Sequence, residues 1–97
     1  MQLLQFETFA PRANEVFSLE LGDSNIDMRL VHVARLTPHP YPGMRRDPFS
    51  LIFKCAMQTI LPQRIYSFKN DALGTLAIFI VPRSRDRDGI VYEAVFN

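Results

Sequence analysis

Helical periodicity is almost absent from this sequence. No window repeats apolar residues at helical spacing for more than a couple of turns, and only Thr8 to Val16 has room for one short helical turn. Cysteine is scarce as well. The single Cys55 excludes an internal disulfide and cannot build a metal site by itself, and a lone thiol fits a reducing compartment. Excess charge is missing: eleven basic residues meet ten acidic ones, a net charge of +1, so no strong field draws polyanions or a membrane surface. No apolar run approaches the ~20 residues that span a bilayer. Met1-Gln-Leu-Leu-Gln-Phe-Glu7 has neither the basic nor the long apolar region of a signal peptide. The expectation is a soluble, cytoplasmic protein. Repeats, low-complexity tracts and internal domain boundaries are absent too, as are glycine-rich phosphate loops, clustered metal ligands and acids paired at cleft-like spacing.

What is there reads as strand after strand. Ninety-seven residues, 47% of them hydrophobic and 22% charged, suffice for one domain over 1–97 with a core of its own. The organising stretch is C-terminal: Ala72 to Pro82 and Gly89 to Asn97, two β-branched and aromatic runs separated by the polar Arg83-Ser-Arg-Asp-Arg-Asp88. That pattern predicts a long hairpin with Gly89 at positive φ in its connection. Leu76, Ile78 and Ile80 share one face, and Ala77, Phe79 and Val81 the other. With both faces apolar, that strand is expected to be interior rather than at an edge. Ile90 to Phe96, whose Val91 and Val95 oppose Ile90, Tyr92, Ala94 and Phe96, is expected to have both sides buried. Closure against Val16–Leu21, or a twofold dimer burying Val91 and Val95, would cover that second face.

Upstream, Phe6 and Phe9 are placed to plug one end of a core. Val16 to Leu21 alternates with Phe17, Leu19 and Leu21 inward, and Gly22-Asp-Ser-Asn25 turns the chain. Ile26 to Leu36 is a longer strand whose mixed faces allow a bulge. Phe49 to Met57 resumes the alternation with Phe49, Leu51, Phe53 and Cys55 on one face. Ile60-Leu-Pro-Gln63 reads as a short turn into Arg64–Lys69, and Asn70 to Gly74 as a turn into the hairpin. The fold class is therefore all-β: one small domain of about six mainly antiparallel strands, meander-like in order. Periodicity leaves barrel and sandwich both open.

Ordered blocks along the second half carry a resemblance. Pro48-Phe-Ser-Leu-Ile-Phe53, Leu61-Pro-Gln63 with Tyr66, Leu73-Gly74, Ile78-Phe-Ile-Val-Pro82, Asp88-Gly89 and Tyr92-Glu-Ala-Val-Phe-Asn97 follow one another. Together they resemble a family of short bacterial β-rich proteins classed as a domain of unknown function. The chain departs from that pattern at Lys54-Cys55, at Gln63-Arg64 and in the basic Arg83-Ser-Arg85. The resemblance implies a small β domain with no assigned activity and no catalytic residues to carry over. It also implies a neighbourhood of phage-tail-collar-like proteins, hence a structural or accessory role. Read as chemistry, the shared positions are folding instructions. Pro48 starts a strand, Gly74 serves a tight turn, and the Tyr92 phenol is placed to reach a backbone partner at the rim of a core.

Four constellations bear on function. Ser84-Arg-Asp-Arg-Asp-Gly89 resembles the start of a calcium loop, but the closing bidentate acid would fall at Val95 and three arginines oppose a dication, so a hairpin turn is the better reading. Cys55 with His32 or His39 has the parts of a thiol nucleophile, yet the thiol lies on an apolar strand and nothing brings the groups together. The basic and aromatic set of His39, Tyr41, Arg45 and Arg46 with Arg83, Arg85 and Arg87 would suit single-stranded nucleic acid, but Asp47, Asp86 and Asp88 cancel much of the charge. Nucleic acid is accordingly disfavoured. The last is the loop Thr37 to Pro48, with four prolines: either a contact surface made of His39, Tyr41, Met44, Arg45 and Arg46 or a plain crossover between sheets.

The functional expectation is a non-enzymatic structural or protein-interaction module, with no catalytic residue, metal or cofactor. Its partner is a second copy or another protein. The alternative is a small barrel binding a ligand or oligonucleotide, and an enclosed polar cavity against an exposed apolar patch separates the two.

Overall fold

A computed structural model describes residues 4–37, 42 and 46–97. Its regular elements are α1 (Phe6–Phe9), a 3-10 turn at Ala10–Arg12, and six strands: β1 (Val16–Leu21), β2 (Ser24–Arg35), β3 (Phe49–Cys55), β4 (Arg64–Asn70), β5 (Gly74–Asp86) and β6 (Gly89–Phe96). The strands close into an antiparallel barrel in the order β1-β2-β3-β6-β5-β4. Closure, rather than a sandwich, is how this chain gives every strand two neighbours.

The wiring is two three-stranded meanders, β1-β2-β3 and β4-β5-β6, joined by antiparallel pairing of β3 with β6 and of β1 with β4. Sequential pairing holds within each half. Between the halves, residues 56–63 cross one end of the barrel, so the segment read as a short turn at Ile60–Gln63 is a crossover. Hydrogen bonds to the strands hold it down. The buried Leu61 N–H donates to the Tyr92 hydroxyl at 3.0 Å, the Tyr66 hydroxyl donates to Pro62 O at 2.7 Å, and Gln58 Nε2 donates to Asp86 O and Arg87 O, both at 3.3 Å. Tyr92 thus finds the backbone partner expected of it.

Alternation places the core. Phe17 and Leu19, Met28 and Leu30, Phe49, Leu51, Phe53 and Cys55, Tyr66 and Phe68, Ile78 and Ile80, and Ile90, Tyr92 and Ala94 fill the barrel interior. Aromatic rings run through it in contact. Phe49 and Phe96 stack at 4.6 Å, Phe9 lies 5.7 Å from Phe96 and 6.3 Å from Phe17, and Phe53 bridges Phe17 at 5.4 Å to Phe68 at 5.1 Å. Phe9, fully buried on α1, plugs one end as expected, and Phe6 is half-buried beside it.

β2 bulges between Leu30 and His32, as its mixed faces allowed, and β5 bulges between Pro82 and Ser84. The seam between β1 and β4 is short, running from Ser18↔Lys69 to Glu20↔Ser67. Asn70 reinforces it. Its Nδ2 donates to Glu15 Oε1 (3.2 Å) and Val16 O (3.3 Å), while its Oδ1 accepts the Ala72 and Leu73 N–H groups at 2.9 and 3.1 Å.

Three expectations about the C-terminal strands are corrected. β6 lies between β3 and β5, not against β1. β5 continues past Pro82 to Asp86 because a bulge accommodates the proline, leaving Arg87 and Asp88 as the turn. The outward faces are not buried: Phe79 is 47% exposed and Val95 48%. Two apolar faces imply two covering layers in a sandwich, but a barrel supplies only one, its interior.

Candidate interaction surface

Of the residues singled out in the proline loop, His39, Tyr41, Met44 and Arg45 lie outside the described residues. The loop's roots are placed. β2 and β3 are direct neighbours, paired to Arg35↔Phe49, and Leu36 N–H donates to Pro48 O at 3.0 Å. The loop therefore caps a hairpin and is not a crossover between sheets. Arg46 clasps the fold at its base. Its Nη1 donates to Leu4 O (2.7 Å), its Nε donates to Asn97 O (3.1 Å), and its guanidinium sits 5.3 Å from the Phe96 ring centroid. Beside it, Gln5, Phe6, Glu7, Arg35, Arg46 and Asp47 line an open groove of about 160 Å³. Arg35 Nη2 meets Glu7 Oε1 at 3.1 Å and covers the Phe6 ring at 4.0 Å. The Glu7 carboxyl is held below its ordinary value, first by a backbone hydrogen bond and then by Arg35.

The other chemistry-bearing groups are kept apart. Cys55 faces the interior at 2% exposure, whereas His32 is exposed on the barrel wall. Native protein is therefore expected to react slowly with a thiol reagent, and unfolded protein quickly. Rapid native labelling at neutral pH would contradict the packing of β3. In the hairpin turn, Asp86 Oδ1 accepts the Asp88 N–H at 2.8 Å and Lys54 Nζ lies 3.9 Å from Asp88 Oδ2, so these carboxylates serve the turn. Among the described residues, no three His, Cys, Asp or Glu side chains gather in a way that would hold a metal. Burial raises the Tyr92 phenol above its ordinary value by more than its bond with Leu61 lowers it.

Two features of the barrel wall are not consumed by the fold. The first is apolar and faces outward across β4, β5 and β6. Ile65 and Phe79 are direct cross-strand partners, 65% and 47% exposed, and Ser67↔Ala77 is the next outward pair. On the other side of Phe79, Val81 pairs with Glu93, and Val95 lies on the same outward face of β6. The nearest acid on this wall, Glu93, is held by Arg83 at 3.4 Å, and the exposed Lys69, paired with Thr75, bounds the row at its other end. The alternation of β5 identifies Ala77, Phe79 and Val81 as one face, and barrel closure puts that face outside.

The second feature is a groove of about 240 Å³ at the crossover end, lined by Ile60, Pro82, Arg83, Ser84, Arg85 and Ile90. It is largely apolar, with Arg85 beside it. Sequence reading missed it because Ile60 was placed in a tight turn, whereas the crossover brings it under the extended hairpin.

Among the described residues, no helix is long and apolar enough to cross a membrane. No curated protein and no solved structure matches the chain. A family model described as Domain of unknown function (DUF6916) matches residues 4–96, nearly the whole sequence, and the chain belongs to that family.

Proposed function

We propose that this chain is a non-enzymatic, cytoplasmic interaction module that docks through the outer wall of β4, β5 and β6, as an accessory part of a larger, tail-like or surface assembly. The observation that carries the reading is the pair Ile65–Phe79, two large apolar side chains left in solvent side by side with Val95 nearby. Scattered single apolar residues need no explanation, but a contiguous uncharged group on a rigid sheet is what a partner surface looks like. The interior supports the same view, since Phe53, Phe68, Ile78, Ile80 and Tyr92 fill the space a barrel-type ligand would take. The lone, buried thiol fits a reducing cytoplasm.

The reading makes a site-specific prediction. A photo-crosslinking residue at Ser67, within the wall, is expected to form protein adducts in the native host, and one at Asp27 on β2 is not. Equal adducts from both positions, or none from either, would overturn the wall as a contact surface.

The alternative, a small barrel binding a ligand or oligonucleotide, has one observation in its favour: the groove at Ile60 and Arg85. Of its two arginines, Arg83 is already paired with Glu93, and the groove lacks the converging polar groups that orient a small molecule. The wall is the better supported surface.

A further inference from the structure

At the crossover end, one bulge decides where an arginine points. Cross-strand partners share a face of the sheet, so pairing fixes the side on which each residue of the β5–β6 hairpin lies. Tyr92 and Ile90 face inward and are buried, and their partners on β5, Pro82 and Arg85, lie on the inner side with them. Glu93 and Val91 face outward, and so do their partners Val81 and Ser84. Strict alternation from Ile80 and Pro82 would instead put Ser84 inward and turn Arg85 outward. The extra residue between Pro82 and Ser84 reverses this, as a bulge does when it re-aims a side chain. The two arginines are thereby parted. Arg83 meets Glu93 at 3.4 Å, and Arg85 lines the groove with Ile60, Pro82 and Ile90.

Arg85 is left without an acid. The acids around it are taken: Glu93 by Arg83, Asp88 by Lys54 at 3.9 Å, and Asp86 by the Asp88 N–H at 2.8 Å. Among the described residues Arg85 itself forms no ion pair. The walls of the groove are also set before anything enters it. Gln58 ties the crossover to the hairpin through Asp86 O and Arg87 O, and Leu61 ties it to Tyr92. Preformed walls lower the ordering cost of binding. Ile60 nevertheless stays 50% exposed on one of them. With about 240 Å³, the groove falls below the range of about 300–1,000 Å³ in which sites enclose a whole small molecule. It suits one apolar side chain of something that continues outside.

We infer that this groove takes a short acidic and apolar segment of a protein partner. One apolar side chain sits on Ile60, Pro82 and Ile90, and a carboxylate next to it in the segment meets the Arg85 guanidinium. The inference rests on the reading of the chain as an interaction module and adds a second contact, at the barrel end, to the outer wall. Charge complementarity sets the chemistry of the segment. An apolar floor alone would accept any side chain of suitable size. A guanidinium at its rim, not neutralised by its own fold, favours a carboxylate in fork geometry and repels lysine or arginine.

Labelled five-residue peptides, with a central leucine flanked by glutamate, by glutamine or by lysine, test this on the full chain. Fluorescence anisotropy gives affinity and amide chemical shifts place the site. The glutamate peptide is expected to bind about tenfold or more tighter than the lysine peptide, to move the amides of Ile60 and Ile90, and to weaken as salt rises. Arg85→Gln, at an exposed position, is expected to lower that affinity about tenfold with an unchanged circular dichroism spectrum. Arg85→Glu is expected to reverse the order of the peptides. Lys69→Gln removes the same charge from the wall and is expected to change nothing. No binding of the glutamate peptide to the wild-type chain overturns the inference. So does equal affinity for the glutamate and lysine peptides, an Arg85→Gln chain that binds as wild type does, or shifts confined to other amides. Any of these results alongside adducts from Ser67 would leave the wall standing as a contact surface and remove only the groove.

Discussion

Gly89→Ala is expected to cost on the order of 4 kcal/mol, a large share of the roughly 5–15 kcal/mol that holds a domain of this size together. Gly89 opens β6 directly after the Arg87–Asp88 turn, at φ 134°, in a region costly for any residue with a Cβ. Space there is tighter still. A Cβ on Gly89 would lie 1.8 Å from the Cys55 carbonyl oxygen, 2.8 Å from its carbon and 3.0 Å from Ala56 Cα. All three atoms are backbone, so no side chain can rotate away. Either the end of β3 or the start of β6 must move, and the adjacent pair Cys55↔Ile90 binds those strands together. The displacement would also disturb Asp86 O and Arg87 O, on which Gln58 anchors the crossover. Gly74→Ala is the internal control. Its φ of 76° is also positive, but nothing lies within 4 Å of the added carbon, so backbone strain of about 1–2 kcal/mol is the whole effect. Urea midpoints of the two variants measure the difference. A Gly89→Ala cost no larger than that of Gly74→Ala would mean that β3 and β6 do not meet this closely.

That contact also marks where sequence legibility ends. Gly89 reads as a turn glycine from the Asp-Arg-Asp-Gly pattern, because turn chemistry is local. Its contact with Cys55 is not local, and nothing in the residues around either position announces it. The same division runs through the fold. Alternation identifies the inward faces of β1, β3 and β6, because pleating puts every second residue on one side whatever the neighbours are. It also places Phe9 at one end of the core. It does not say which strand lies beside which, and so Ile60–Gln63 reads as a turn when the chain crosses the barrel there. The strand order makes it a crossover, and the bond that anchors it runs from Leu61 to Tyr92, thirty-one residues away. Asn70 is a related case. Its position before Asp-Ala-Leu-Gly marks a side chain bonding its own turn, and Oδ1 does so, but the Nδ2 bonds to Glu15 and Val16 require the barrel to be closed first. The candidate surface was half legible. Ala77, Phe79 and Val81 stand out as a face, but whether an apolar face is covered depends on layer count, and layer count is a property of the closed fold.

Phe53→Ala is expected to cost about 3–5 kcal/mol, the usual range for a fully buried ring truncated where its surroundings collapse only in part. The position leaves little room for collapse. Phe53 sits mid-strand on β3, opposite Leu30 on one side and Tyr92 on the other, with no solvent exposure. It is the link in the aromatic row between Phe17, which meets it edge-on at 75°, and Phe68. Removing it loses two ring contacts, each worth about 0.5–1.5 kcal/mol beyond area, and separates the half of the core plugged by Phe9 from the half built on β4. Neither neighbouring ring can advance into the gap without giving up its own packing, because Phe17 also touches Phe9. Phe79→Ala removes a ring of the same size from the outer wall. It is expected to change monomer stability by less than about 1 kcal/mol, since half of that ring already meets solvent. The pair thus separates packing from surface. Denaturation at a fixed low concentration gives both values. Equal costs for the two variants would mean that the barrel interior is not the core of this protein. A Phe53→Ala chain that keeps its stability would remove the aromatic row as the feature that holds the two halves together.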